Sequence, residues 1–134
     1  MHFSVITLFP EIFESPLAHS ILGRAREKKL VSIDLMDLRH YARGRHRITD
    51  DYPYGGGQGM VLKPEPLIDA IEDSRRRLKN PRVILLSPHG RVFNQEIAAE
   101  TLHHKEVVLV CGRYEGVDER VLSFTDETLS IGDY

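Results

Sequence analysis

The 134-residue chain has no tryptophan, a single cysteine and no apolar run near the roughly 20 residues that cross a bilayer. No membrane partner is therefore expected. The opening Met1-His2-Phe3-Ser4 also lacks the basic stretch of a secretory signal. One thiol, Cys111, cannot close an internal disulfide, so the cytoplasm is the expected compartment, and its place in an apolar run marks it as a small core residue. Metal-site spacings are lacking too. Seven histidines, at 2, 19, 40, 46, 89, 103 and 104, make no HExxH and no paired Cys/His pattern. A G-x-S-x-G nucleophile elbow is missing. Neither charge dominates: Lys and Arg number 18 against 20 Asp and Glu, a net −2 that provides no global attraction to nucleic acid.

What is present is the make-up of one globular domain, 41% apolar and 28% charged, long enough to bury a core. Its centre is Val107-Val108-Leu109-Val110-Cys111, five apolar residues in succession, the pattern of a strand buried on both faces of a parallel sheet. Gly112-Arg113-Tyr114-Glu115-Gly116 follows at once. Open α/β sheets take ligands at the carboxyl ends of their strands, where a glycine lets a ligand approach the backbone. A plain strand-turn-helix with a solvated charged turn has the same pattern, and both readings stay open at this level.

Along the chain, residues 2–9 read as a first strand stopped by Pro10. Ser15-Pro16 reads as the cap and first residue of a helix reaching about residue 29, with Leu17, Ile21 and Ala25 beside Ala18 and Leu22 on its apolar face. Residues 31–37 alternate as a half-exposed strand near a sheet edge. Arg39–Arg47 reads RHYARGRHR, four arginines and two histidines with no acid, the first place to look for a phosphate contact. Four glycines between 55 and 59 then predict a mobile loop; no Gly-Lys-Ser/Thr follows, so it is no P-loop. After Pro64-Glu65-Pro66 a helix presents Leu67, Ile71 and Leu78, with Arg75-Arg76-Arg77 on its solvated side and Asn80-Pro81 at its end. Val83–Leu86 reads as a buried strand broken by Ser87-Pro88-His89-Gly90, and Asn94 as the cap of a short helix. A helix near 118–124 and a last strand at 129–134 complete the chain. Strands alternating with helices imply an α/β fold, a mainly parallel sheet flanked by helices. If the strands ending at Ser87-Pro88, Gly112 and Gly132 are parallel neighbours, their turns form one pocket of backbone groups. That pocket suits a nucleotide-like ligand, and the arginine-rich arm suits RNA.

Four segments extend this reading. They are Thr7–Glu11 (TLFPE), Asp50–Met60 (DDYPYGGGQGM), Leu86–Gly90 (LSPHG) and Leu109–Val121 (LVCGRYEGVDERV), with Ser130–Tyr134 (SIGDY) closing the set. In this order, over essentially the whole chain, they resemble the TrmD family of bacterial tRNA (guanine-N1)-methyltransferases. The resemblance implies the SPOUT fold with its deep trefoil knot, a homodimer, and S-adenosyl-L-methionine bound by Leu86, Ser87, Pro88, Gly112, Tyr114, Glu115, Ile131, Gly132 and Tyr134. It implies methyl transfer to N1 of the guanosine just 3′ of the anticodon, with Glu115 in a supporting catalytic role and Mg2+ assisting. It places tRNA against Arg43, Arg45, Arg47, Gly55, Gly56, Gly57 and Arg113. Two departures are visible. Gln58 stands where many relatives have proline. The chain also stops at SIGDY, so residues 1–134 correspond to the N-terminal cofactor domain with a truncated knot, without the helical C-terminal domain that carries the family's general base. Two functions follow from the resemblance: a methyltransferase cofactor domain, or a cofactor- and tRNA-binding fragment without turnover. In either case residues 1–134 alone are expected not to methylate tRNA.

Overall fold

The computed structural model describes residues 1–53, 55–56 and 59–132. In chain order the strands are β1 (His2–Thr7), β2 (Ser32–Asp37), β3 (Asp50–Asp51), β4 (Val61–Leu62), β5 (Arg82–Val92), β6 (Glu106–Cys111) and β7 (Glu127–Ser130). The helices are α1 (Glu14–Ala18), α2 (Ser20–Glu27), α3 (Pro64–Arg77) and α4 (Gln95–Thr101), with 3-10 turns at Pro10–Phe13, Leu38–Tyr41 and Glu119–Phe124. Five strands form one sheet in the order β2-β1-β6-β5-β7, every neighbouring pair parallel; β3 and β4 make a small antiparallel pair. The expected parallel α/β architecture is present, and the apolar run 107–111 is its central strand.

Period-two alternation divides that run between two faces. Val108 and Val110, with Val83 and Leu85 of β5, point into the larger core with Ile6, Leu38, Leu62, Leu67 and Ile71. Val107 and Leu109, with Ile84 and Leu86, point the other way, against Ile97 of α4, Leu129 and Phe3. Both faces are apolar, hence the absence of polar alternation. On α3, Leu67, Ala70, Ile71 and Ser74 are buried at helical spacing, while Arg75, Arg76 and Arg77 are solvated as expected. Their partners are acidic: Asp126 for Arg75, Asp73 for Arg76 and Arg77. Asn94 caps α4 as expected, accepting from the Ile97 N–H at 3.0 Å.

Five boundaries differ from the sequence expectation. β1 ends at Thr7 rather than residue 9, because the Thr7 hydroxyl accepts from the Phe9 N–H at 3.2 Å and turns the chain. The helix expected over 15–29 is two helices that begin earlier, broken at His19, whose backbone is extended (φ −121°, ψ 165°). Gly23 explains the break: a Cβ there would lie 2.5 Å from the Ala18 carbonyl oxygen, so the end of α1 folds onto α2 where no side chain intervenes. Of the predicted apolar face Leu17 is buried, but Ile21 and Leu22 face outward, 70% and 44% exposed. Ser87-Pro88 does not end β5, which runs to Val92 with a register jump: Leu86 and Arg91 both stand opposite Leu129. The helix near 118–124 is a 3-10 turn, opened by Asp118 accepting from the Arg120 N–H at 2.9 Å. β7 begins at Glu127 rather than 129, since paired bonds between Val83 and Asp126 (2.7 and 2.8 Å) start its pairing early, and Asp133 and Tyr134 of the expected segment lie outside the described residues.

Candidate active site

β6, β5 and β7 are adjacent and parallel, so the turns after β6 and β7 and the irregular stretch within β5 lie on one side of the sheet. There a cavity of about 480 Å³ is lined by Leu86, Ser87 and Pro88 from β5, Gly112 after β6, and Ile131 and Gly132 after β7. These are the three turns singled out in the sequence. Val5, Phe13, Leu109, Cys111 and Ser130 complete a largely apolar lining. Phe13 and Val5 carried no sequence signal, because only the 3-10 turn after β1 brings Phe13 over the strand ends. Cys111, read as core alone, also borders the cavity, and burial pushes its thiol up to about 11.

Two backbone features shape the cavity. Residues 87–90 are the extra residues of the β5 register jump, and Gly90 crosses directly against β7: a Cβ there would sit 2.5 Å from the Thr128 carbonyl carbon and 2.6 Å from Leu129 Cα. At Gly112 a Cβ would sit 3.3 Å from the Leu86 carbonyl oxygen, so the missing side chain keeps the gap between the β5 and β6 ends open. On the third side the Ser130 hydroxyl donates to the Gly132 carbonyl at 2.7 Å, folding the turn after β7.

Tyr114 and Glu115, expected among the same residues, do not line this cavity. They form a tight turn just beyond Gly112, with Tyr114 at φ +60° and Gly116 at φ +135°. The turn packs on the glycine-rich loop instead: the Glu115 N–H donates to the Met60 carbonyl at 3.1 Å and the Leu62 N–H to the Gly116 carbonyl at 3.1 Å. Arg113 lies over the Phe9 ring, 5.2 Å from its centroid, which links Thr7–Glu11 to Leu109–Val121. Asp118 and Arg120 pair at 2.9 Å, and the guanidinium hydrogen bond holds the Asp118 carboxyl below its ordinary value.

Among the tRNA candidates, Arg43, Arg45 and Arg47 are exposed on the 42–47 segment, Arg43 3.6 Å from Asp69. Gly55 and Gly56 are exposed as well. The positions of Gly57, Gln58 and Tyr134 lie outside the described residues, as does part of the loop expected to be mobile. Among the described residues no three His, Cys, Asp or Glu side chains gather to hold a metal ion. No helix among them is long and apolar enough to cross a membrane.

This is an α/β domain whose five-stranded parallel sheet has a ligand-sized cavity where the turns after β6 and β7 meet the bulge of β5, the edge at which open α/β sheets hold small ligands. The chain belongs to the tRNA (Guanine-1)-methyltransferase TrmD family, whose model matches residues 1–134. It is 55% identical over 130 residues to a tRNA (guanine-N(1)-)-methyltransferase of Anaeromyxobacter sp., covering 97% of this chain and 52% of the relative. A namesake from Syntrophotalea carbinolica is 52% identical over 134 residues, all of this chain and 54% of the relative. The solved tRNA (m1G37) methyltransferase of Aquifex aeolicus superposes with a TM-score of 0.91 at 37% identity, covering 100% of this chain and 61% of that one. The chain thus spans about half the length of the curated relatives it matches.

Proposed function

We propose that residues 1–134 are the S-adenosylmethionine-binding domain of a tRNA (guanine-N1)-methyltransferase whose target is the guanosine 3′ of the anticodon. One observation carries the reading: six of the nine residues that the family resemblance assigns to the cofactor, Leu86, Ser87, Pro88, Gly112, Ile131 and Gly132, line a single cavity. Its size lies within the ~300–1,000 Å³ of small-molecule sites. The residues fit such a group. Leu86, Leu109, Ile131 and Phe13 offer apolar surface for a purine, and the gap at Gly112 admits a ligand against the backbone. Bound there, S-adenosylmethionine supplies an electrophilic methyl on a sulfonium.

The chain's own part in the reaction is orientation. Confining the cofactor between three strand ends makes methyl transfer effectively intramolecular. Glu115 is assigned the guanine-facing role, supported by its position beside the glycine loop, and the exposed Arg43, Arg45 and Arg47 are assigned the phosphates of the tRNA. No step is assigned to magnesium. Two copies are inferred to pair as a homodimer, supported by exposed Ile12, Ile21, Leu22 and Leu30 on and around α1 and α2. The cytoplasm, where a free thiol stays reduced, is the inferred site of action.

Titration calorimetry with S-adenosylmethionine, its demethylated product and ATP tests the pocket. The expected result is binding of the first two and none of ATP. Binding of ATP without S-adenosylmethionine overturns the reading. Gly112→Val is expected to abolish cofactor binding, because even its Cβ already sits 3.3 Å from the Leu86 carbonyl and its branches must enter the cavity.

A further inference from the structure

The glycine-rich loop meets the Glu115 turn at one atom-scale contact. Gly59 has φ +106°, and a Cβ built on it would lie 2.6 Å from Glu115 Cγ and 3.2 Å from both Cδ and Oε1. The Glu115 side chain therefore occupies the space that any other residue at 59 would fill. The backbone on either side has no freedom to separate. The Glu115 N–H donates to Met60 at 3.1 Å, the Leu62 N–H to Gly116 at 3.1 Å and the Asp118 N–H to Leu62 at 3.3 Å, with Leu62 and Val117 in a parallel bridge. Leu62 is fully buried, so this ladder is anchored in the core. A side chain at 59 is thus accommodated by moving the carboxylate rather than the strands.

We infer that Gly59 is a positioning residue: the absence of its side chain seats the Glu115 carboxylate against the glycine loop and sets where that carboxylate points. The inference rests on the functional reading above, in which Glu115 faces the target guanine. Gly55 and Gly56 also have positive φ, +92° and +83°, but nothing lies within 4 Å of a Cβ on either. Backbone strain is common to all three; the contact with Glu115 belongs to Gly59 alone among them.

The test is a double-mutant cycle in the methyl-transfer-competent protein, using Gly59→Ala, Glu115→Ala and the pair, with Gly56→Ala in the same two backgrounds as the strain control. Gly59→Ala is expected to lower kcat roughly 10²-fold, the cost of misplacing a reacting or orienting group by about 1 Å. S-adenosylmethionine affinity is expected to be unchanged, since Glu115 does not line the cofactor cavity. With Glu115 already truncated, the same change is expected to cost less than about threefold, whereas Gly56→Ala costs the same in both backgrounds. Thermal unfolding supplies a second readout: Glu115→Ala relieves the overlap but not the backbone strain, and is expected to recover the part of the Gly59→Ala drop in Tm that exceeds the drop caused by Gly56→Ala. Equal effects in both backgrounds, or no recovery of Tm, overturn the positioning role and leave the cofactor reading intact. A wild-type protein that transfers no methyl from S-adenosylmethionine overturns both.

Discussion

At Gly90 two stretches of backbone come so close that a single methyl group decides whether they fit. The atoms it would meet belong to the backbone of β7 and do not rotate away. Gly90→Ala is therefore expected to lower stability by about 1–3 kcal/mol, the cost of overpacking, as measured by urea denaturation. It is also expected to weaken S-adenosylmethionine binding, because Ser87 and Pro88 belong to the same bulge. An unchanged denaturation midpoint would mean that the crossing can loosen. Cys111 is a second case in which position outweighs residue type. Burial raises its thiol from an ordinary 9.0 to about 11, and the thiolate is the nucleophile. Alkylation by iodoacetamide at pH 7.5 is expected to run about 100-fold slower than for an ordinary thiol, and to rise about tenfold per pH unit until it levels off near pH 11. Rapid labelling at neutral pH would contradict the burial of this side chain at the cavity wall.

Elements are joined by a few polar contacts whose charge state matters. The 3-10 turn Leu38–Tyr41 docks on α3 through Leu38, fully buried, and through the Tyr41 hydroxyl donating to Asp73 at 2.6 Å. That bond, assisted by Arg77 and Arg76, holds the Asp73 carboxyl below its ordinary 3.8. Burial and the same bond push the Tyr41 phenol up to about 12 from an ordinary 10.0. A carboxyl with a lowered folded value stabilises above its unfolded value and loses this contribution as pH falls through the folded one. A phenol with a raised value stabilises below 10 and loses its contribution between 10 and about 12. Tyr41→Phe is thus expected to cost about 1 kcal/mol at pH 7. The gap between variant and wild type should close below pH 3.8 as Asp73 takes up its proton, and again above pH 10. Unfolding free energies at pH 3, 7 and 11 check this. A gap constant across all three would assign the effect to packing.

For the whole molecule, a net charge of −2 means that the proposed tRNA binding has to rest on local features, and the exposed arginine arm is the one proposed for it. The Arg43–Asp69 pair, 3.6 Å apart with Arg43 86% exposed, is too solvated to hold that side chain away from a phosphate. Replacing Arg43 and Arg45 with alanine is expected to weaken tRNA binding and to flatten the plot of log affinity against log salt. The slope should fall by roughly 0.7–0.9 for each phosphate that is no longer neutralised. Filter binding or fluorescence anisotropy between about 50 and 200 mM salt, where phosphate-driven affinity falls steeply, measures it. An unchanged slope would make the arm a solvated loop.

Sequence by itself determined the parallel sheet, because five consecutive apolar residues at 107–111 can be satisfied only between two covered faces. It also marked the three backbone irregularities that border the cavity, because proline, serine and glycine record local backbone needs. The TLFPE, LSPHG and CGRYEG segments were legible as a set for the same reason. Tertiary structure alone decided where a pattern depends on what arrives opposite it. Ser87-Pro88 reads as a strand end, yet β5 resumes pairing beyond it because β7 lies alongside to receive Arg91 and Val92. Ile21 and Leu22 read as a buried face, but the break at His19, imposed by the contact of Gly23 with Ala18, turns them outward. Phe13 joined the cavity, and Glu115 left its lining for the glycine loop, through contacts between residues distant in the chain, a range over which local propensity carries no information.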